Sequence, residues 1–244
     1  MSSLYLNADL EPQHVSVGGV AVLEGAESRH AATVSRVRIG EVVSIGNGRG
    51  LIVTGTATDV APDRVAIAID RVALIAAPSS AIWLAQALAK GDRDEAAIQA
   101  ACELGVDGVI PWSAQRSIVK WEGAKVKKGH DRWSAIVRES TKQSIRSYLP
   151  EVSDLVTTKQ LAVLAMSTRM LVLSPGAVTR LSDLEPDGRD VVLVVGPEGG
   201  VSAGELDTLV ASGAEAVKLG DTVLRTGTAG PAAIAALNVV WGRW

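Results

Sequence analysis

The sequence predicts an α/β fold in which a parallel sheet is covered by helices on both faces and is preceded by a small all-β region. Three features of the 244 residues support this prediction. Up to about residue 72, short β-branched runs are separated by Gly-rich turns. From about residue 80 onward, strand-like runs alternate with helical patterns. Several of these later runs are apolar throughout, as expected for strands that are buried on both faces.

The first region is predicted to form a small barrel or sandwich. Residues 41–45 and 51–54 flank the segment 46–50, whose glycines and asparagine tolerate the positive φ of a hairpin turn. Residues 64–70 form a further strand candidate because they are rich in Val and Ile. Residues 76–80 then have the composition of a linker.

The middle of the chain introduces the first alternation of strand and helix. Strands are predicted at residues 81–85 and 108–111. Asp92 and Glu95 have the spacing of a helix capping box, so a helix is expected to begin there. A second helix is predicted from about residue 131 to 147.

The last third repeats the alternation. Ser202 and Glu205 form a second potential capping box, and a final helix is expected over residues 231–241. Strand candidates lie at residues 170–173, 191–195 and 216–219.

Charge is unevenly distributed along the chain. The formal net charge is −3, which taken alone argues against a nucleic-acid partner. The formal net charge is −2 over residues 1–72, +3 over residues 73–150 and −4 over residues 151–244. The basic middle therefore indicates a local surface on which phosphates could bind.

Several classes of protein are excluded by what the sequence lacks. One cysteine, Cys102, excludes an intrachain disulfide framework and fits a reducing, cytoplasmic location. The three histidines have no metal-ligand spacing, and no apolar run is long enough to span a membrane. No P-loop, dinucleotide-binding or serine-hydrolase motif is present.

Two loops are the candidate site. Residues 196–200, Gly-Pro-Glu-Gly-Gly, follow the most apolar strand, and residues 219–226 follow the next one. Ligands of open parallel sheets bind beyond the carboxyl ends of the strands. On spacing alone, ordinary strand-to-helix turns remain the alternative interpretation.

These loops carry a family resemblance. Residues 194–200, Leu219-Gly220 and Val223-Leu224-Arg225-Thr226, followed by an Ala-rich helix, resemble the C-terminal signature of the RsmE family, the 16S ribosomal RNA N3-uridine methyltransferases of the SPOUT class. The resemblance continues upstream, in the same order, at residues 30–38, 90–93, 98–99, 103–106, 111, 116–119 and 143–150. The chain departs from the family pattern at Gly227 and Lys142, where the family has acids, and at Ala100, where it has a lysine.

The resemblance implies a more specific fold. It indicates a PUA-like β-barrel that binds RNA over residues 1–73, and over 78–244 a SPOUT methyltransferase domain with a trefoil knot. It also implies a homodimer formed through the knot domain. Trp241 and Trp244 suit that interface, with a core role open for Trp241.

The resemblance further implies an S-adenosylmethionine site between the loops after residues 173, 195 and 219. The expected cofactor-binding residues are Leu173, Ser174, Pro175, Val195, Gly196, Pro197, Glu198, Gly199, Gly200, Leu219, Gly220, Val223, Leu224, Thr226 and Thr228. No metal is expected to take part. Arg225 is the catalytic candidate, because a guanidinium would stabilise negative charge on the target uridine. An ion pair between Arg225 and Glu198 is its structural alternative.

The RNA partner is expected to be 16S ribosomal RNA or the assembled small subunit. Arg138, Lys142 and Arg146 are predicted to form a basic stripe on one helix face. The full set of expected RNA-binding residues is Arg29, His30, Arg36, Arg38, Lys90, Arg93, Arg116, Arg138, Lys142, Gln143 and Arg146. Two alternatives stay open. One is a SPOUT enzyme for another RNA position. The other is a non-catalytic RNA-binding protein of ribosome assembly, and Gly227 favours only this second alternative.

Overall fold

The structure, a computed structural model, describes residues 3–244, which divide into two compact units. The first unit contains the residues up to Ala77 together with Thr141–Leu149. The second contains Pro78–Ser140 and Pro150–Trp244. Residues 1 and 2 of the predicted domain 1–73 lie outside the described residues. The segment 141–149 is thus separated by sequence from the rest of its unit, which local patterns do not indicate.

A five-stranded sheet forms the first unit, in the order β1-β3-β4-β5-β2. Its strands are β1 Ser3–Leu6, β2 Val20–Glu24, β3 Val42–Gly46, β4 Leu51–Ala61 and β5 Arg64–Leu74. The predicted hairpin is confirmed, because β3 and β4 pair antiparallel. The sheet curls around a core that includes Leu23, Ile45 and Ile67. Gly55 lies at a register shift, and a Cβ there would be 2.0 Å from the Ala68 carbonyl oxygen, so the two strands approach too closely for a side chain.

The segment 141–149 is bound to this unit by polar contacts. The Lys142 ammonium lies 3.5 Å from the Glu27 carboxylate of helix α1 (Gly25–Arg29), and Lys142 is buried while Glu27 is partly buried. The Tyr148 hydroxyl donates to the Ile75 carbonyl at 2.9 Å, and the Gly50 N–H donates to the Ser147 carbonyl at 2.9 Å. The end of the long central helix and the turn after it therefore belong to the β unit.

The predicted basic stripe is wrong. Helix α3 runs from Ala124 to Gln143, so it begins earlier than predicted and ends three residues before Arg146. Ile145 has a φ of +55°, which turns the backbone out of the helix. Lys142 is buried against Glu27. Arg138, Lys142 and Arg146 thus do not form an exposed row on one helix.

Seven parallel strands form the sheet of the second unit, in the order β12-β10-β11-β6-β7-β8, with β9 also paired to β7. The strands are β6 Ile82–Ala87, β7 Gly108–Ser113, β8 Glu151–Val152, β9 Val156–Thr157, β10 Arg169–Leu173, β11 Val191–Val195 and β12 Glu215–Val217. The parallel sheet and its five predicted strands are confirmed. None of the helices in residues 3–244 is long and apolar enough to cross a membrane.

Helices cover both faces of this sheet, as predicted. Besides α3, they are α2 Arg93–Glu103, α4 Thr158–Ala165, α5 Ala203–Ala211 and α6 Thr226–Val240. One apolar cluster contains residues of α2, α3 and α6, including Ile98, Trp133 and Ile234. A second cluster contains residues of α4 and α5, including Leu161 and Leu209. Helix α4 has no counterpart among the predicted elements.

The two predicted capping boxes have different outcomes. Ser202 and Glu205 form one at the start of α5. Asp92 does not cap α2, because its φ of 56° places it in the left-handed region and its side chain makes no capping hydrogen bond. Asp94 instead accepts hydrogen bonds from the N–H groups of Ala89 and Glu95. Burial raises the pKa of Asp94, and this exceeds the opposing effect of these hydrogen bonds.

Ile145 provides a test of how the end of α3 is formed. A β-branched residue at positive φ is strained by about 1–2 kcal/mol, whereas glycine adopts this conformation freely. Since Ile145 is 45% exposed, its replacement removes little packing. We expect Ile145→Gly to raise the free energy of unfolding by about 0.5–1 kcal/mol, after the entropic penalty of glycine. Urea denaturation measures this, with Ile145→Val as the control that keeps the strain. A less stable glycine variant would show that this conformation is not costly.

Candidate functional site

A cavity of about 520 Å³ opens at the carboxyl ends of three neighbouring strands of the second unit. Its walls are the loops that follow β10, β11 and β12, together with the first turn of α6. Because β10 pairs with both β11 and β12 in parallel register, all three loops leave the sheet at the same edge. The order of strands in the sheet therefore brings together segments that are far apart in sequence.

Most of the residues that the sequence singled out lie on this cavity. Among the expected cofactor-binding residues, all but Gly199 and Thr228 line it, and Arg225 lines it as well. The sequence prediction missed several of the lining residues. These are Val201, Val217, Lys218, Thr222 and Ala229, together with Arg93, which was assigned to RNA alone. Ala229 follows Arg225 by one helical turn, a spacing that could have identified it.

Three elements around the cavity are joined by one chain of hydrogen bonds. The Gln86 side-chain amide at the end of β6 donates to the Thr226 hydroxyl at 2.9 Å, and that hydroxyl donates to the Gly196 carbonyl at 2.7 Å. Gln86 is fully buried, and its Oε1 accepts no hydrogen bond from any residue in 3–244. The two hydrogen bonds of the Thr226 hydroxyl therefore join the loop after β11 to β6 and to the start of α6.

The loop after β11 turns back on itself. A Cβ added to Gly196 would lie 2.8 Å from the Val201 nitrogen, so only glycine allows this approach. The Gly200 N–H donates to the Pro197 carbonyl at 2.8 Å, and Gly200 has a φ of +70°. The backbone of the loop therefore forms part of the cavity wall directly.

Glu198 anchors this loop to the start of α2. Its carboxylate accepts from the Lys90 N–H at 3.2 Å and from the Arg93 guanidinium at 3.1 Å. Burial alone would raise the pKa of Glu198, but these hydrogen bonds and the charge of Arg93 outweigh burial and hold the pKa below its ordinary value. The expected alternative partner, Arg225, forms no ion pair with any described residue, and its side chain is exposed.

A buried carboxylate, Glu205, supports the loop that carries Arg116. Glu205 accepts from the Gln115 N–H at 2.7 Å, the Thr158 hydroxyl at 2.9 Å, and the N–H and hydroxyl of Ser202. The neighbouring Arg116 donates to the Gly199 carbonyl at 2.9 Å. Gly199 thus lies behind the cavity wall, where it binds Arg116 rather than lining the cavity.

The remaining predicted RNA-binding residues are divided between the units. In the second unit, Lys90, Arg93 and Arg116 lie around the loop 196–200, and Arg138 lies on α3. In the first unit, Arg29 ends α1, and His30 begins a π-helical turn. Arg36 and Arg38 are exposed and follow that turn, whereas Lys142, Gln143 and Arg146 belong to the segment 141–149. No group of three or more potential metal ligands occurs among residues 3–244.

Comparison with known proteins decides the family. Residues 77–238 match a family model described as an RNA methyltransferase domain, and residues 23–70 match one described as an RNA methyltransferase PUA domain. The ribosomal RNA small subunit methyltransferase E of Mycobacterium bovis is 38% identical over 233 residues, which cover 93% of this chain and 89% of that protein. The chain belongs to the RsmE family. The family member of Bacillus subtilis is 28% identical over 240 residues, which cover 94% of this chain and 94% of that protein.

Solved structures of similar proteins have the same fold. The RsmE protein of Neisseria gonorrhoeae, crystallised with S-adenosyl methionine, gives a TM-score of 0.87 at 29% identity and covers 99% of this chain and 98% of its own. A putative methyltransferase of Legionella pneumophila in complex with the same cofactor gives 0.86 at 28% identity, with coverages of 99% and 98%. The SPOUT and PUA-like fold is confirmed, and the trefoil knot stays a prediction.

Substitution of Thr226 tests the hydrogen-bond chain at the cavity. Thr226→Val keeps the side-chain shape but removes the hydroxyl, so the Gly196 carbonyl and the Gln86 amide each lose a partner. Groups left unpaired in this way cost about 1–3 kcal/mol each. We expect the free energy of unfolding to fall by about 2–3 kcal/mol in urea denaturation. Thr226→Ser retains the hydroxyl and should remain within about 1 kcal/mol of the parent. Equal losses in the two variants would contradict the role of the hydroxyl.

Glu205 predicts a dependence of stability on pH. Its hydrogen bonds overcome the effect of burial and hold its pKa below the ordinary 4.5. A carboxylate whose pKa is lowered on folding stabilises the protein above its unfolded pKa, and this stabilisation is lost as the pH falls through its folded pKa. We expect Glu205→Gln to lower the free energy of unfolding by about 1.5–3 kcal/mol at pH 7, and the difference from the parent to shrink below about pH 4.5.

Denaturation at a series of pH values measures this difference. The exposed Glu151 serves as the control, since Glu151→Gln should change stability little at any pH. A difference between Glu205→Gln and the parent that stays constant down to low pH would exclude ionisation of Glu205 as its cause.

Proposed function

We propose that this chain is an S-adenosylmethionine-dependent methyltransferase that modifies N3 of a uridine in the 16S ribosomal RNA of the small subunit. The observation that carries the proposal is the cavity itself. Its three walls are the loops that the RsmE resemblance assigns to the cofactor, and the structural relatives with the same fold hold S-adenosylmethionine. The proposal gives methyl transfer to the second unit and divides RNA binding between the two units.

The residues at the cavity fit such a cofactor. A volume of about 520 Å³ lies within the usual range of small-molecule sites. Leu173, Val195, Leu219 and Leu224 provide apolar walls for a purine, and Gly196, which has no side chain, also lines the cavity. When bound, S-adenosylmethionine supplies an electrophilic methyl group.

Arg225 is the proposed catalytic residue. Uridine N3 carries a proton and must lose it for methylation, which leaves negative charge on the flanking carbonyl oxygens. Arg225 precedes the first residue of α6, lines the cavity and forms no ion pair within residues 3–244, so its guanidinium is free to face that charge. Glu198 is committed to Arg93 and to the Lys90 N–H, so its proposed role is to brace the loop.

The proposed RNA contacts are divided between the two units. In the second unit they are Lys90, Arg93 and Arg116, which lie around the loop 196–200 and can hold phosphates while the target base enters the cleft. In the first unit, the exposed Arg29, Arg36 and Arg38 are the proposed contacts. Phosphate contacts position the RNA, whereas the shape of the cleft selects the base.

A homodimer in the cytoplasm completes the proposal. Val239, Val240 and Trp244, at the end of the second unit, expose apolar surface that a second copy of the chain would cover. Trp241 serves the core instead, since its indole N–H donates to the Leu184 carbonyl at 2.9 Å and its ring packs against the main cluster.

Arg225→Ala tests the catalytic assignment. If Arg225 acts on the uridine, turnover should fall by about 10²–10³-fold, as when an oxyanion donor is removed. Affinity for S-adenosylmethionine, measured by calorimetry, should stay within a few fold. Methylation is followed on small subunits from a strain that lacks the gene, with mapping of the modified nucleotide. Arg225→Lys retains the charge without the planar fork and should give an intermediate rate. Equal losses of affinity and turnover would assign Arg225 to cofactor binding or folding.

A further inference from the structure

The N-terminal half of α3 carries an unusual concentration of positive charge. Lys125, Lys127, Lys128 and Arg132 lie within its first nine residues, and its first turn contains no acidic residue. The N-terminus of a helix is the positive end of its dipole, so cations there are destabilising and acids are favoured. Helix stability therefore does not account for these lysines, which are all exposed.

Three of these residues share one face of the helix. Lys125, Lys128 and Arg132 are separated by three and four positions, which places them in a row about 10 Å long. Lys127 lies on a neighbouring face and is paired with Asp131. Within residues 3–244, neither Lys125 nor Lys128 forms an ion pair. We name Lys125, Lys128 and Arg132 the α3 row.

The α3 row is joined to the first turn of α2. Arg132 donates to the Glu95 carboxylate from Nε at 3.0 Å and from a terminal nitrogen at 2.8 Å. Glu95 lies in the first turn of α2, whose first residue, Arg93, lines the cavity and binds Glu198. From this point the row extends along α3 through Lys128 to Lys125. Arg132 thus contacts the same turn of α2 that carries the cavity residue Arg93.

We propose that the α3 row binds the phosphate backbone of the RNA substrate next to the nucleotide held in the cavity. The proposal rests on the proposed function and adds a surface that the motifs of the sequence do not include. A polyanion is the partner that this geometry fits, because two unpaired lysines and an arginine present positive charge along one line of a rigid helix, as successive phosphates present negative charge. Glu95 holds the guanidinium of Arg132 in position.

Charge substitution on one helix tests the α3 row against a matched control. Lys128→Gln removes an unpaired lysine of the row, whereas Lys127→Gln removes a paired lysine one position away. Binding to small subunits from a strain lacking the gene is measured between 50 and 200 mM salt. We expect Lys128→Gln to reduce the slope of log affinity against log salt by about 0.7–0.9, and Lys127→Gln to leave it nearly unchanged.

A double variant distinguishes a loss of RNA binding from a loss of folding. Lys125→Glu with Lys128→Glu places one acid in the first turn of α3 and one at the start of the second, near the positive end of the helix dipole, so its melting temperature should not fall below that of the parent. Its RNA affinity should nevertheless decrease more than that of Lys128→Gln. Affinity for S-adenosylmethionine should be unchanged in every variant.

The outcomes separate this proposal from the proposed function. If the parent binds S-adenosylmethionine and methylates small subunits, but the row variants retain its salt slope, the α3 row does not bind RNA and the function stands. If Lys127→Gln reduces the slope as much as Lys128→Gln, general charge rather than the row is responsible. If the parent neither binds the cofactor nor methylates RNA, the proposed function fails first.

Discussion

The rest of the site depends on the two hydrogen bonds of the Thr226 hydroxyl. This hydroxyl receives a hydrogen bond from Gln86 on β6 and gives one to the Gly196 carbonyl after β11, while the backbone of Thr226 begins α6. The loop after β11 and the first turn of α6 are two walls of the cavity. Gln86 is fully buried and Thr226 nearly so, which shields these hydrogen bonds from solvent. Arg225, one residue earlier, is positioned by the same contact.

The strands and loops of the cavity could be predicted because each has a characteristic pattern in a short stretch of sequence. An apolar run followed by a Gly-rich loop marks the carboxyl end of a buried parallel strand, and 191–200 has this pattern. Arg93 could not be assigned to the cavity in this way. Its contact with Glu198 spans 105 positions, and only the order of strands brings the two together. The capping box at Asp92 failed for a related reason, since the left-handed backbone there follows from the path of the loop.

The basic stripe shows how a spacing argument fails at a helix end. Arg138, Lys142 and Arg146 keep a helical period in the sequence, but the period does not reveal where the helix stops. The turn at Ile145 and the ion pair of the buried Lys142 with Glu27 end it, and both depend on the packing of 141–149 with the β unit. The exposed positive charge lies instead at the N-terminal end of α3. The helix dipole disfavours cations at that end, so helix stability does not explain the lysines found there.

The glycine at position 227 has a steric explanation in this chain. A Cβ there would lie 2.9 Å from the Arg93 carbonyl oxygen, so α2 and the first turn of α6 approach too closely for a larger residue. Arg93 also has its carboxylate partner already, because Glu198 supplies it from the loop after β11. An acid at 227 is therefore not needed to neutralise Arg93, and it would force the two helices apart. The departure from the family pattern thus reflects close packing at the cavity rim, and it gives no support to a non-catalytic RNA-binding role.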